Sequence, residues 1–234
     1  MFRVKICGVM TAADARMVAE SGADAIGLNF VTGSPRFLDT ASARIVAAGV
    51  PEGVLRVGVF AGATALEILH IAEEVGLDAI QLHGHIAASP ADQTILYDPP
   101  ELCIELAGLP VIRAVRLESD GLTAARLWLV AAAAAGRAPV MALVDASVSR
   151  GTVLSQLGGT GARVDWEALA SAGTLSVPMA LAGGLTPDNV AEAMRRTGLL
   201  AVDTASGVES AVGCKDPHKV RAFVAAAASS RQNF

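Results

Sequence analysis

Cysteine is scarce in this sequence and histidine scarcer in pattern. Cys7, Cys103 and Cys214 stand far apart and form no CxxC, and the four histidines offer no metal-ligand spacing, so neither a metal site nor a redox pair is indicated. No metal or cofactor is called for, and a reduced cytoplasmic setting is expected. A cluster of Lys and Arg is also missing, and with a formal net charge of -5 there is no footprint for nucleic acid or for an anionic membrane. A small-molecule partner is expected instead, with a local phosphate site still possible. The opening MFRVKIC has charges inside its only short apolar stretch, so the core of a signal peptide is absent. The longest uncharged run, Ala168 to Pro187, reaches spanning length but holds Pro178, Gly183-Gly184 and Pro187. It reads as a helix end, a turn and a buried strand, and a soluble chain is expected.

What is present in quantity is apolar residue: 53% of 234 positions are hydrophobic and 18% charged, enough for a large core. Short β-rich runs recur: FRVKIC, AIGLNF, VLRVGVF, AIQLHG, VIRAVR, VMALVDA, VPMALAG and LLAVDTA. They are apolar on both faces and alternate with amphipathic stretches such as AADARMVAESG and ALEILHIAEEVG, the pattern of a parallel sheet covered by helices. Eight such units at this length predict one (β/α)8 barrel domain over residues 1–234. Gly22, Gly76 and Gly198 each open a similar stretch leading into strands two, four and eight, as helix stops would. Thr11 is an expected helix cap, and Pro187 behind Thr186 an expected first helical position. Two segments are long for their place: His83 to Leu109, rich in proline, and Asp145 to Trp166, rich in glycine.

Barrels of this kind place chemistry at the C-terminal ends of the strands, where Cys7, Asp145 and Asp203 all fall. A thiol there is either a buried spare or a working group. A carboxylate ending an apolar strand is costly unless paired or used. Asp203 has a plainer reading as a turn anchor for Thr204 and Ser206. Gly183-Gly184 and Ser206-Gly207 follow strands seven and eight, where backbone amides of such barrels bind phosphate. Lys5 shares the face of Cys7 one pleat down, either to assist it or to pair with an acid for packing. His83 lies near a strand end with its partner unassigned.

KICGV, GADAIGLNF with SPR, VGVF, QLHG, VDA with GGTG and DW, LAGGLTPDNV, and VDTASGVE with GCKDPHKV occur in order along nearly the whole chain. Together they resemble the phosphoribosylanthranilate isomerase family. The resemblance implies a cofactor-free (β/α)8 enzyme of tryptophan biosynthesis, catalysing the Amadori rearrangement of N-(5-phosphoribosyl)anthranilate to 1-(2-carboxyphenylamino)-1-deoxyribulose 5-phosphate. It further implies Cys7 as general base, Asp145 as general acid, Arg36 as an arginine suited to the anthranilate carboxylate and Asp203 as an active-site aspartate. Departures from the family pattern are His85, Thr204-Ala205 and the two long segments, at about 85–101 and 146–161. The alternatives are another phosphosugar isomerase or epimerase on the same barrel, or a phosphate-ligand binder without catalysis. The barrel exterior suits a monomer or a homodimer equally.

Overall fold

The computed structural model describes residues 1–86, 95–96, 98–145 and 164–231. Eight parallel strands close on themselves: β1 (Val4–Cys7), β2 (Ala25–Asn29), β3 (Leu55–Phe60), β4 (Ala79–Leu82), β5 (Val111–Arg116), β6 (Met141–Asp145), β7 (Met179–Leu181) and β8 (Ala201–Thr204). Each pairs with its sequence neighbours, and β8 pairs with β1 through Val4 beside Val202 and Lys5 beside Asp203. All eight lie within the apolar runs of the sequence.

The helices are α1 (Ala12–Glu20), α2 (Thr40–Ala47), α3 (Ala65–Val75), α4 (Leu102–Glu105), α5 (Thr123–Ala134), α6 (Trp166–Ala172), α7 (Val190–Thr197) and α8 (Pro217–Arg231). Thr11 caps α1 by accepting from the Asp14 amide, as the sequence predicts. The α3 start is a full capping box, with Thr64 and Glu67 each bonding the other's backbone. The α7 start corrects the expectation at Pro187. Residues 187–189 form a turn in which Asn189 and Val190 both donate to the Thr186 carbonyl, and the Thr186 amide donates to Asn189 Oδ1. Regular helix begins only at Val190, because after the bond from Val190 to Thr186 the next bond of that kind is from Ala193 to Asn189. No helix among the described residues is long and apolar enough to cross a membrane.

Strand alternation splits the core in two. Val4, Ile6, Ile26, Leu28, Ile80, Leu82, Val111 and Val144 face outward to the helices in one large cluster. A second cluster fills the barrel, with Phe2, Ala25, Val57, Ala79, Ile112, Ala114, Leu143, Ala180 and Ala201. Many of these interior residues are alanines, and the space they leave admits long polar side chains: Lys5, Gln81 and Asp203 are all buried there. The last inward positions of the strands form the floor of the barrel mouth.

Of the two long segments, the first enters and leaves through a two-residue antiparallel ribbon in which His85 pairs with Leu96 and Ile86 with Ile95. Residues 87–94 and 97 of that segment, and GGTG with the rest of 146–163, lie outside the described residues.

Candidate active site

Cys7 ends β1 on the inward face and is partly exposed. Its register partner on β2 is Gly27, where a Cβ would stand 2.6 Å from the Cys7 sulfur, so only glycine leaves the thiol room. One pleat below, Lys5 Nζ donates to Asp203 Oδ1 at 2.9 Å, fully buried. Burial opposes charge on Lys5, but Asp203 and then Cys7 outweigh it and lift its pKa above the ordinary lysine value. Burial pushes the Asp203 carboxyl up; Lys5 opposes this, and Asp145 adds to it. Asp203 is therefore an interior ion-pair partner at the floor of the mouth, not the local turn anchor that its neighbours suggest. Thr204 likewise reaches across the sequence, its Oγ1 donating to the Leu185 carbonyl 2.7 Å away.

Arg36 follows β2 in a loop fastened by Asn29, whose side chain bonds Ser34 Oγ and the Val31 amide, while Ser34 Oγ accepts from the Arg36 amide. The side chain then crosses Gly8, where φ is +68° and any Cβ would collide with Arg36 Cδ. Nε and Nη2 make a bidentate pair with Glu209 at 2.8 and 2.7 Å. Lys215 Nζ also donates to Glu209, at 2.8 Å, and to the Ala205 carbonyl at 3.0 Å. Glu209 and Lys215 sit in a short antiparallel ribbon after β8, Glu209–Ala211 against Cys214–Lys215.

Hydrogen bonds to Glu209 raise the Arg36 pKa despite burial, with the Cys7 charge contributing further. Burial lowers Lys215, against the pull of Glu209 and Cys7. Burial would raise Glu209, yet its bonds to Arg36 and the charge of Lys215 hold it below the usual range. Lys5 thus lies one pleat below Cys7, and Arg36 crosses Gly8, the residue that follows it, so cationic side chains flank the β1 end.

Asp145 ends β6 on the inward face. His83, just past β4, places Nε2 3.7 Å from Asp145 Oδ2, which supplies the partner that the sequence left unassigned. Asp98 holds the rim beside it. Its carboxylate accepts from the amides of Gly62 and Gly84 and from Arg113 Nη1, and its carbonyl accepts from Trp128 Nε1.

The glycine-bearing turns after β7 and β8 meet at one side of the mouth. Gly183 and Gly184 have φ of +79° and +62°, two successive positive values that turn amides to one side. At Gly207 a Cβ would overlap the Leu185 carbonyl oxygen, so the two turns pack backbone on backbone. The amides of Gly183, Gly184, Ser206 and Gly207 donate to no other described residue. Donors free in this way suit an anion with several oxygens.

Glu209, Lys215, Asp98 and Arg116 received no role from the sequence. Glu209 and Lys215 are six positions apart around Gly213, and opposite charges across a glycine turn were the available signal. Arg116 was legible by alternation with Ile112 and Ala114, just as Lys5 was with Cys7. His70 and His218 are exposed, Cys103 is buried among apolar side chains and Cys214 is exposed. The His85 side chain lies outside what is described.

Comparison with known proteins fits this geometry. A curated relative from Myxococcus xanthus, N-(5'-phosphoribosyl)anthranilate isomerase, is 40% identical over 97% of this chain and 96% of its own length. The crystal structure of phosphoribosyl anthranilate isomerase from Thermotoga maritima superposes with a TM-score of 0.76 at 31% identity, covering 98% of this chain and 100% of that one. A structure of such an isomerase in complex with reduced 1-(o-carboxyphenylamino)-1-deoxyribulose 5-phosphate gives 0.73 at 31% identity, with 98% and 100% covered. The profile described as N-(5'phosphoribosyl)anthranilate (PRA) isomerase matches residues 4–226, and on these grounds the chain belongs to that family.

Proposed function

We propose that the chain isomerises N-(5'-phosphoribosyl)anthranilate with Cys7 as general base and Asp145 as general acid. The observation that carries this reading is the placing of Cys7 and Asp145 on the inward ends of β1 and β6 at one barrel mouth, with the buried Lys5–Asp203 pair beneath the thiol. The 5-phosphate is received by the free amides of Gly183, Gly184, Ser206 and Gly207.

Catalysis begins with Asp145 giving its proton to the ribose ring oxygen. The C1–O bond breaks toward that oxygen, and the anilino nitrogen lone pair forms the C1–N double bond. The cationic imine acidifies the proton on C2, and the Cys7 thiolate takes it. The C2–H electron pair becomes the C1–C2 double bond of an enolamine, and the nitrogen regains its lone pair. The enol O–H then loses its proton while C1 gains one, giving the ketone. Each proton taken up is matched by one released, so no redox partner is needed. His83 orients the Asp145 carboxyl, and Asp203 holds Lys5 charged beneath the thiol. Arg36 stands on the β2 side of the mouth with Nη1 its one nitrogen not engaged by Glu209.

The direct test is loss of substrate fluorescence, with the substrate generated in place from anthranilate and phosphoribosyl pyrophosphate. Rapid, chelator-insensitive loss supports the reading. An inert protein that still binds phosphorylated sugars overturns it.

A further inference from the structure

Arg36 and Glu209 meet from 173 positions apart and, with Lys215, close a cluster of three charges. Glu209 Oε1 accepts from Arg36 Nε and from Lys215 Nζ, each at 2.8 Å, and Oε2 accepts from Arg36 Nη2 at 2.7 Å. The ribbon that carries Glu209 is tied down as well, because Lys215 Nζ donates to the Ala205 carbonyl at 3.0 Å and Lys219 Nζ to the Glu209 carbonyl at 2.7 Å. Side-chain exposures are 7% for Arg36, 4% for Glu209 and 0% for Lys215. Exposed ion pairs are loose, whereas this one is held at both oxygens.

The arginine is fixed but not saturated. A guanidinium has five N–H donors in one plane, and Glu209 takes only those of the Nε–Nη2 edge. The Nη1–Nη2 edge is left: Nη1 bonds no described residue, and unlike both terminal nitrogens of Arg116 it is not sealed from solvent. The stem lies over Gly8, directly after Cys7, which keeps the guanidinium beside the β1 end of the mouth. That second edge is a fork for a second carboxylate. Charge points the same way, since one carboxylate between two cations leaves the cluster with a single net positive charge that an anion would balance.

We propose that Glu209 is a positioning residue: it fixes the Arg36 guanidinium so that its Nη1–Nη2 edge meets the carboxylate on the substrate's aromatic ring, while Lys215 restores the positive charge that Glu209 cancels. This rests on the isomerase reading above. An arginine held before the ligand arrives has already lost its rotamer freedom, so less is lost on binding. As a charge Glu209 repels the incoming carboxylate, and as a clasp it favours it. The two roles therefore predict opposite signs when the charge is removed.

The test compares two ligands by calorimetric titration: reduced 1-(o-carboxyphenylamino)-1-deoxyribulose 5-phosphate and the same compound lacking the ring carboxylate. Wild type should prefer the first. Glu209→Gln should bind the first roughly tenfold more weakly than wild type although it gains net positive charge, and should bind the second as wild type does. Glu209→Asp, which keeps both oxygens, should recover part of the loss. Adding Glu209→Gln to Arg36→Met should change neither affinity further, because Glu209 acts through Arg36. Nitrogen-15 NMR of the free wild-type protein gives a readout that needs no Glu209 variant to fold. The Arg36 Nη protons, assigned by their absence from Arg36→Met, should be separate signals, since the clasp stops rotation about the Nε–Cζ bond. One averaged signal that splits only on adding ligand overturns the assignment. So does unchanged or tighter binding of the carboxylated ligand by Glu209→Gln, an equal loss for both ligands, a further loss in the Arg36→Met background, or a wild type without preference between the ligands. A wild-type protein that binds neither overturns the isomerase reading, and this assignment with it.

Discussion

Lys5 Nζ lies 2.9 Å from Asp203 Oδ1 across the β1–β8 seam that closes the barrel, with side-chain exposures of 0% and 8%. Two charges so far from water are tolerable only together. Lys5→Met should cost about 3–5 kcal/mol in urea unfolding, the range for breaking a buried pair from one side. The double variant Lys5→Met/Asp203→Leu should recover most of it. A double variant as unstable as the single one would show that volume, rather than charge, is what matters at the seam.

Cys7→Ser keeps the volume at the β1 end and removes the acidic thiol. The fold should be retained, judged by an unchanged melting curve, while kcat falls by about 10²- to 10⁴-fold, the usual scale of general-base catalysis. Near-normal turnover would remove Cys7 from the proton transfer.

Asp145→Asn should lower kcat to a similar extent, because an amide has no proton to give the ring oxygen. His83→Gln, which keeps a polar neighbour near Asp145 without imidazole, should shift the limb of the kcat profile on which Asp145 ionises more than it lowers the maximum. A profile that is unchanged would separate His83 from the acid.

Gly207→Ala forces a Cβ into the Leu185 carbonyl. Backbone must move to relieve it, so the four free amides lose their common orientation. KM for the phosphorylated substrate should rise at least tenfold, whereas binding of a dephosphorylated analogue should change little. Equal effects on both would place the phosphate elsewhere.

Glu209 has a pKa held below the ordinary 4.5, so its folded-state pairing adds stability above that pH and loses it as pH falls through the lowered value. The melting temperature should therefore drop on acidification below about pH 4.5. Glu209→Gln should start lower at neutral pH, with Arg36 and Lys215 less well matched, and show a shallower acid slope. Parallel slopes in the two proteins would exclude Glu209 as a contributor.

The strands and the positions of Cys7, Asp145 and Asp203 were readable because period-two alternation and strand ends are local properties. KICG and VMALVD mark their own junctions without any knowledge of the rest of the chain. The Asp203 partner was not local: Lys5 is 198 residues away and meets it only because β8 returns to β1. The Arg36–Glu209 pair spans 173 residues in the same way. What Arg36 touches depends on barrel closure, so the clasp of Glu209 on one edge of its guanidinium was not legible locally. The α7 start differs on a smaller scale, with regular helix setting in three residues past Pro187.

Asp98 joins four parts of the rim at a single residue: the turns at Gly62 and Gly84, the β5 arginine and the α5 tryptophan. The ribbon of His85–Ile86 with Ile95–Leu96 stands immediately before it. The chain can therefore leave the barrel at Gly84 and re-enter at Asp98 through fixed posts, whatever lies between. Such a socket lets one loop be lengthened, shortened or exchanged while the barrel wall keeps its register. It marks this rim as the natural splice point for giving the same catalytic floor a different cover.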